Sequence, residues 1–143
     1  LSRARRLALG LLLTLLAVGA LTYWAGEQTE VALLRTRAAD GSLRETKLWV
    51  VDHAGHPWVR VANPRRAWFA RLREHPEVEL VRGGRAEACE ARVHEEPETR
   101  TAVDAAFRAR YGLVDWWYGV LLRRGAVPVE LVPLTAEGGV PAP

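Results

Sequence analysis

Methionine is absent from all 143 residues, position 1 included, which leaves either a non-standard start codon written as Leu1 or a fragment of a longer chain. Cysteine occurs once, at Cys89, and a lone thiol excludes an internal disulfide framework. It stands in "AEACEARV", where alternation sends it to one strand face with Ala91 and Val93, as a buried structural thiol. There are two serines, Ser2 ahead of an apolar run and Ser42 inside a tight turn, so a serine triad has no usable nucleophile. Lysine also occurs once, Lys47, against 19 arginines, a bias that reflects genome composition more than arginine chemistry. No glycine-rich phosphate loop is present. "HAGH" places His53 and His56 three apart, but no neighbouring cysteine or carboxylate cluster completes a tetrahedral metal set. These histidines read as exposed residues of a hairpin turn.

What is present is a real core and an uneven charge distribution. Hydrophobic residues make up 49% of the chain and charged ones 26%, which excludes intrinsic disorder for the bulk of it. The pI of about 9.6 suggests nucleic acid until the charge is located. Three of the 20 basic side chains, Arg3, Arg5 and Arg6, precede residue 27, and no acid does. The remainder is left with 17 basic against 17 acidic groups. A formally neutral domain lacks the basic footprint of a nucleic-acid binder.

Those three arginines flank Leu7 to Ala25, 19 residues without a charge, close to the roughly 20 that cross a bilayer as a helix. Tyr23 and Trp24 stand at the far end, where interfacial aromatics belong, and the arginines assign the N-terminus to the cytoplasm. The expectation is an uncleaved single-pass anchor with the domain on the outer (periplasmic or extracellular) side. A cleaved signal peptide competes, since Val18-Gly19-Ala20 offers small residues for cleavage. Residues 1–30 are thus read as anchor and spacer, 31–134 as the folded domain, and 135–143, "TAEGGVPAP", as a disordered tail.

In the domain, "VALLRTRA" reads as a strand, Asp40-Gly41 as a turn, and "RETKLWVVD" and "PWVRVA" as two further strands around "HAGH". "NPRRAWFARLREHP" (63–76) reads as a helix with Asn63 as N-cap and Pro64 at the first helical position. Trp68, Leu72 and His75 fall on one stripe, and Pro76 stops it. "EVELVRGGRAEACEARV" is a second hairpin around Gly83-Gly84. "EEPETRTAVDAAFRARYG" is a second helix with Val103, Ala106, Phe107 and Tyr111 on one side, its acids suiting the N-terminal dipole. "AVPVELVPL" is a closing strand with Val127, Val129 and Leu131 together. "LVDWWYGVLL" (113–122) is ambiguous: core packing, a lid, a dimer contact and a membrane-surface patch all suit its aromatics. The order β-β-β-α-β-β-α-(?)-β predicts a mainly β (α+β) domain, a small closed or half-closed barrel with helices plugging its ends.

One segment stands out chemically. A helix N-terminus offers unpaired N–H groups and partial positive charge, yet "VANPRRAW" puts Arg65 and Arg66 there, against the dipole. Either an anion offsets that cost, or the pair belongs to a solvated arginine-rich face. Arg44, Lys47 and Arg60 lie on the neighbouring strands, with Arg44, Thr46 and Leu48 sharing one face of theirs, Lys47 and Trp49 the other.

The order and spacing of "LLRT" (33–36), "GSLRETKLWVVD" (41–52), "WVRVANPRRAWFARL" (58–72), "EHPEVEL" (74–80) and "DAAFRARYG" (104–112) followed by "PVELVPL" resemble the split β-barrel flavin-binding superfamily. That group includes pyridoxamine-phosphate oxidase-like and deazaflavin (F420)-dependent nitroreductase-like proteins. The resemblance covers about residues 31–134 and implies a split barrel of about six antiparallel strands with two or three helices. It further implies FMN or F420 laid across the barrel surface, usually at a homodimer interface. Carried over by position, Arg44, Thr46 and Lys47 match the strand contacting the ring and phosphate. Val61, Ala62 and Asn63 match the strand end beside the isoalloxazine. Arg65 and Arg66 match the basic pair on phosphate, and Trp68 the aromatic at the helix start. The function so implied is that of a membrane-anchored oxidoreductase of nitroreductase or quinone-reductase type, passing hydride to a small molecule or quinone-like acceptor. The alternative is a cofactor-free barrel acting as a membrane-tethered ligand-binding or interaction module.

Overall fold

A computed structural model describes residues 2–27, 31–122 and 125–134. Of the expected spacer (27–30), residues 28–30 lie outside the described residues, as does the tail (135–143). Helix α1 (Arg3–Glu27) leads into β1 (Val31–Arg37), β2 (Leu43–His53) and β3 (His56–Val61). Helix α2 (Ala67–Glu74) and the hairpin of β4 (Glu77–Arg82) and β5 (Arg85–Val93) follow. Helices α3 (Pro97–Tyr111) and α4 (Leu113–Leu122) precede the last strand, β6 (Val127–Pro133).

The six strands form a closed antiparallel barrel in the order β1-β2-β3-β6-β5-β4. Period-2 alternation decides which residues enter it. Ala32, Leu34, Val50, Val59, Val61, Val78, Leu80, Cys89, Ala91, Val129 and Leu131 make the interior, and α2 closes it with Trp68, Phe69 and Leu72. Thr36 is the polar exception. It is fully buried, and its hydroxyl accepts a hydrogen bond from Arg71 Nε of α2 at 2.9 Å, which fixes the plug against β1. The turns do the registering. Gly83 and Gly84, at φ 53° and 77°, supply the two left-handed residues that a two-residue hairpin needs. The β2–β3 hairpin asks the same of Ala54, at φ 51°, beside Gly55.

Three expectations are corrected. First, only α2 plugs the barrel; α3 lies outside it, where Val103, Phe107 and Tyr111 pack on Val51 and Trp58, and the Tyr111 hydroxyl donates to the Val50 carbonyl. Second, the helix after β3 starts at Ala67 with Arg66 as N-cap, not at Pro64 under an Asn63 cap. Asn63 spends its acceptors on a turn: its Oδ1 takes the Arg65 N–H at 3.0 Å, and its carbonyl the Arg66 N–H at 3.1 Å. His75 is correspondingly exposed at the C-cap, while Phe69 joins Trp68 and Leu72 in the buried set. Third, His53 and His56 are half-buried, and His56 Nδ1 lies 2.6 Å from Glu130 Oε1.

"LVDWWYGVLL" is α4. Gly112, at φ 53°, ends α3 by donating its N–H to Arg108 O at 2.7 Å, and the chain turns into a new helix. In α1, the stretch Arg3–Trp24 is long and apolar enough to cross a membrane, and none of it is buried against the barrel. Its length and composition match a membrane anchor and a signal sequence alike.

Candidate functional site

The barrel is split on one side. Strands β2 and β3 pair only from Val50↔Val59 to His53↔His56, and β3 then continues on β6, with Arg60↔Pro128 and Val61↔Val127. The first half of β2 stays with β1, where Thr46 lies opposite Leu34 and Lys47 opposite Leu33. The two strands diverge, and a groove of about 510 Å³ opens between them. Its lining is Thr46, Lys47, Leu48, Arg60, Ala62, Asn63, Arg66 and Trp68.

Six of the nine site residues expected from the sequence are thus brought to one groove: Thr46, Lys47, Ala62, Asn63, Arg66 and Trp68. The other three do not line it. Val61 is fully buried and belongs to the barrel interior. Arg65 is exposed in the turn, and Arg44 is exposed on β2, beside Asp40. Thr46 and Lys47 point to opposite faces of β2, and both reach the groove because it runs along the open edge of that strand.

Two lining residues stand outside the expected set: Leu48, and Arg60, which was expected only as a member of the neighbouring basic group. Leu48 packs against the barrel core and, with Trp68, gives the groove an apolar floor. Arg60 is 7% exposed, and its Nη1 donates to Asp104 Oδ1 of α3 at 2.9 Å, while its Nη2 pairs with Asp115 of α4, itself 9% exposed. The guanidinium also lies 3.9 Å from the Phe107 ring centroid, a cation–π contact in a desolvated setting. Arg60 therefore forms the wall between the groove and a second cavity of about 250 Å³ that Asp104, Arg108, Asp115 and Trp116 line from the other side.

The electrostatics single out two groups. Among the described residues, Lys47 and Arg66 have no carboxylate within ion-pair distance, whereas Arg35, Arg60, Arg73, Arg82 and Arg92 all do. The groove thus carries two uncompensated cations over an apolar floor, with the Thr46 hydroxyl beside them. Outside the barrel, Glu130 of β6 bridges two imidazoles, with His56 on one oxygen and His94 Nε2 at 2.9 Å from the other. Burial pushes the Glu130 carboxyl up, but the hydrogen bonds from His56 and then His94 outweigh it and hold the group below its ordinary range. Burial pushes the Cys89 thiol up to about 11, with Glu87 adding to it. Among the described residues, no group of three or more His, Cys, Asp or Glu side chains is arranged to hold a metal ion.

A closed six-stranded antiparallel barrel, split between β2 and β3 and plugged by one helix, is a split β-barrel, a fold that several solved structures share. A putative pyridoxamine 5'-phosphate oxidase from Listeria innocua superposes with TM-score 0.56 at 12% identity, over 78% of this chain and 90% of that one. An F420-H2 dependent reductase (FDR-A) gives 0.54 at 20% identity, over 71% and 93%. HutZ, a heme storage protein from Vibrio cholerae, gives 0.59 at 15%, over 78% and 86%. A further similar structure is a domain-swapped dimer. Comparison with curated proteins gives no match. Residues 25–125 match the family described as "Uncharacterized protein conserved in bacteria (DUF2255)", and the chain belongs to that family.

Proposed function

We propose that the protein binds a phosphate-bearing flavin or deazaflavin, FMN or F420, in the groove between β2 and β3. It acts there as an oxidoreductase of nitroreductase or quinone-reductase type. The observation that carries this reading is the pair of uncompensated cations, Lys47 and Arg66, in a groove of cofactor size with an apolar floor. Two exposed cations without carboxylate partners, set along one groove, can both turn charge-assisted hydrogen bonds on a single bound anion.

The lining suits such a group in charge and shape. Lys47 and Arg66 hold the phosphate, Arg66 with the planar fork that matches phosphate oxygens. Thr46 offers a hydroxyl donor on the same strand. Leu48 and Trp68 present apolar surface to a planar ring and keep water from its underside. Arg60, held by Asp104 and Asp115, fixes the far wall. When bound, the ring supplies hydride chemistry that no side chain of this groove provides. Heme fits less well, since among the described residues no His or Cys lines the groove to serve as an axial ligand.

The reading extends to location and assembly. With Arg3, Arg5 and Arg6 on the cytoplasmic side, α1 tethers the barrel to the outer face of the membrane, within reach of a quinone-like acceptor dissolved in the bilayer. Two barrels pair as a homodimer across their open grooves. One observation favours the second reading, a cofactor-free ligand-binding or interaction module. The Arg65 and Arg66 N–H groups both donate to Asn63 and Pro64 has none, so residues 64–66 offer no backbone donor to phosphate.

Titration of the detergent-solubilised chain with FMN and F420, followed by fluorescence, separates the two. Losing one charge-assisted contact costs about 1.5–3 kcal/mol, so Lys47→Ala and Arg66→Ala each weaken binding about tenfold or more. A chain that binds neither compound refutes the cofactor reading and leaves the second.

A further inference from the structure

Helix α4 is apolar on nearly every side, and its one charged residue, Asp115, is turned inward onto Arg60. Its outward residues have no cover from the barrel: Leu113 is 68% exposed and Trp116 53%. Such a face on a ten-residue helix calls for an occupant. The fold indicates which one through a single link. Trp117 Nε1 donates to Thr22 Oγ1 at 3.1 Å, tying α4 to the end of the apolar run in α1. Trp24 and Leu21 of α1 then share an apolar recess of about 270 Å³ with Leu113, Val114, Trp116 and Trp117.

We infer that α4 lies in the membrane interface and is a second lipid contact, holding the barrel down on the bilayer beside its anchor. The inference rests on the reading of α1 as an anchor. A helix that crosses from the arginine-flanked end places Tyr23 and Trp24 at the level of the headgroups, and both are exposed. A direct hydrogen bond between residues 22 and 117 keeps α4 within a side chain's length of that plane. Leu113 and Trp116 then reach the boundary where an apolar ring or chain is stable against acyl carbon while the helix backbone stays wet. Arg108, exposed in the last turn of α3, lines one cavity with Trp116 and suits anionic headgroups. The consequence for function is a fixed orientation. The cavity behind Arg60, which Trp116 also lines, opens close to the bilayer surface.

The test uses the full chain in phosphatidylcholine–phosphatidylglycerol vesicles that contain lipid spin-labelled near the headgroup. Three variants with one added cysteine each, Tyr23→Cys, Leu113→Cys and Ala39→Cys, carry a nitrobenzoxadiazole label; Cys89 is fully buried and stays unlabelled in the folded protein. Ala39 is exposed in the hairpin at the end of β1 away from α1 and reports water. The expected result is blue-shifted emission and lipid quenching at 113 comparable to that at 23, with neither at 39. Quenching at 23 without quenching at 113 overturns the inference and leaves the anchor standing. A blue shift at 113 without lipid quenching also overturns it, and identifies a protein-covered face instead. No quenching at 23 removes the anchor and the inference together. Circular dichroism of each labelled variant shows that the barrel is intact.

Discussion

Replacing Asp115 by alanine tests the wall of the groove directly. Arg60 is 7% exposed and Asp115 9%, whereas the second partner, Asp104, is 42% exposed. Removing one member of a buried pair leaves the other as an uncompensated charge and costs about 3–5 kcal/mol, while a surface pair is worth about 0–1. Asp104 and the Phe107 ring still hold the guanidinium in the variant, and the Arg60 Nε already lacks a partner. The low end, about 3 kcal/mol, is therefore expected for Asp115→Ala, and about 1 or less for Asp104→Ala. At roughly 4 °C per kcal/mol for a domain of about 100 residues, the first lowers the melting temperature by about 12 °C. The assay is near-UV circular dichroism of the detergent-solubilised chain during thermal and urea unfolding, which follows barrel packing rather than α1.

The double variant Arg60→Met/Asp115→Leu decides the mechanism. If burial of charge sets the cost, the apolar pair restores most of the stability, because well-packed hydrophobic replacements of buried ion pairs are often neutral or better. The single and double changes are then non-additive by about 2 kcal/mol or more. Equal small losses for Asp115→Ala and Asp104→Ala, with an additive double variant, refute the reasoning: Arg60 would then be screened by solvent.

Three other perturbations follow from particular residues. Glu130, held below the ordinary carboxyl range by His56 and His94, contributes stability that is complete above the unfolded value of 4.5 and is lost as pH falls through its folded value. Glu130→Gln flattens the acid limb of the urea midpoint against pH, and an unchanged slope would count against it. Cys89, fully buried and raised to about 11, reacts with Ellman's reagent only after unfolding; native labelling at the rate of a free thiol contradicts the burial. Ala54 stands in left-handed backbone at φ 51°, a conformation that costs a residue with a Cβ about 1 kcal/mol. Ala54→Gly raises the unfolding free energy by up to about 1 kcal/mol once the greater entropy loss of glycine is counted, read as a higher urea midpoint, and a lowered midpoint excludes strain at that turn.

The strands and hairpins were legible because period 2 and turn residues are local properties: Leu34, Thr36, Val129 and Leu131 announce their faces within a few residues. Barrel closure was legible only through the order of segments, since β3 finds β6 about 70 residues later and no local pattern encodes that pairing. The start of α2 was misread because Asn63-Pro64 suits a helix cap and a turn equally. The choice fell to Asn63 when it took both the Arg65 and Arg66 N–H groups. "LVDWWYGVLL" gave no period at all, because a helix lying between an ion pair on one side and an uncovered face on the other has apolar residues all round.

The site shows the same division, and β3 shows where a purely physical reading was available. Family order carried Val61 into the expected set along with Ala62 and Asn63. Alternation along "PWVRVA" divides that strand otherwise: Val59 and Val61 enter the barrel, while Trp58, Arg60 and Ala62 face outward, toward α3 and the groove. A charged residue between two buried valines on a strand has its side chain on the opposite face, and a guanidinium on a covered face requires carboxylate partners. Period 2 alone therefore replaces Val61 by Arg60 in the lining, and predicts that acids from elsewhere in the chain come to meet it. What it cannot predict is which acids, since Asp104 and Asp115 lie 44 and 55 residues away. That pairing exists only once α3 and α4 have been laid on the outside of the barrel.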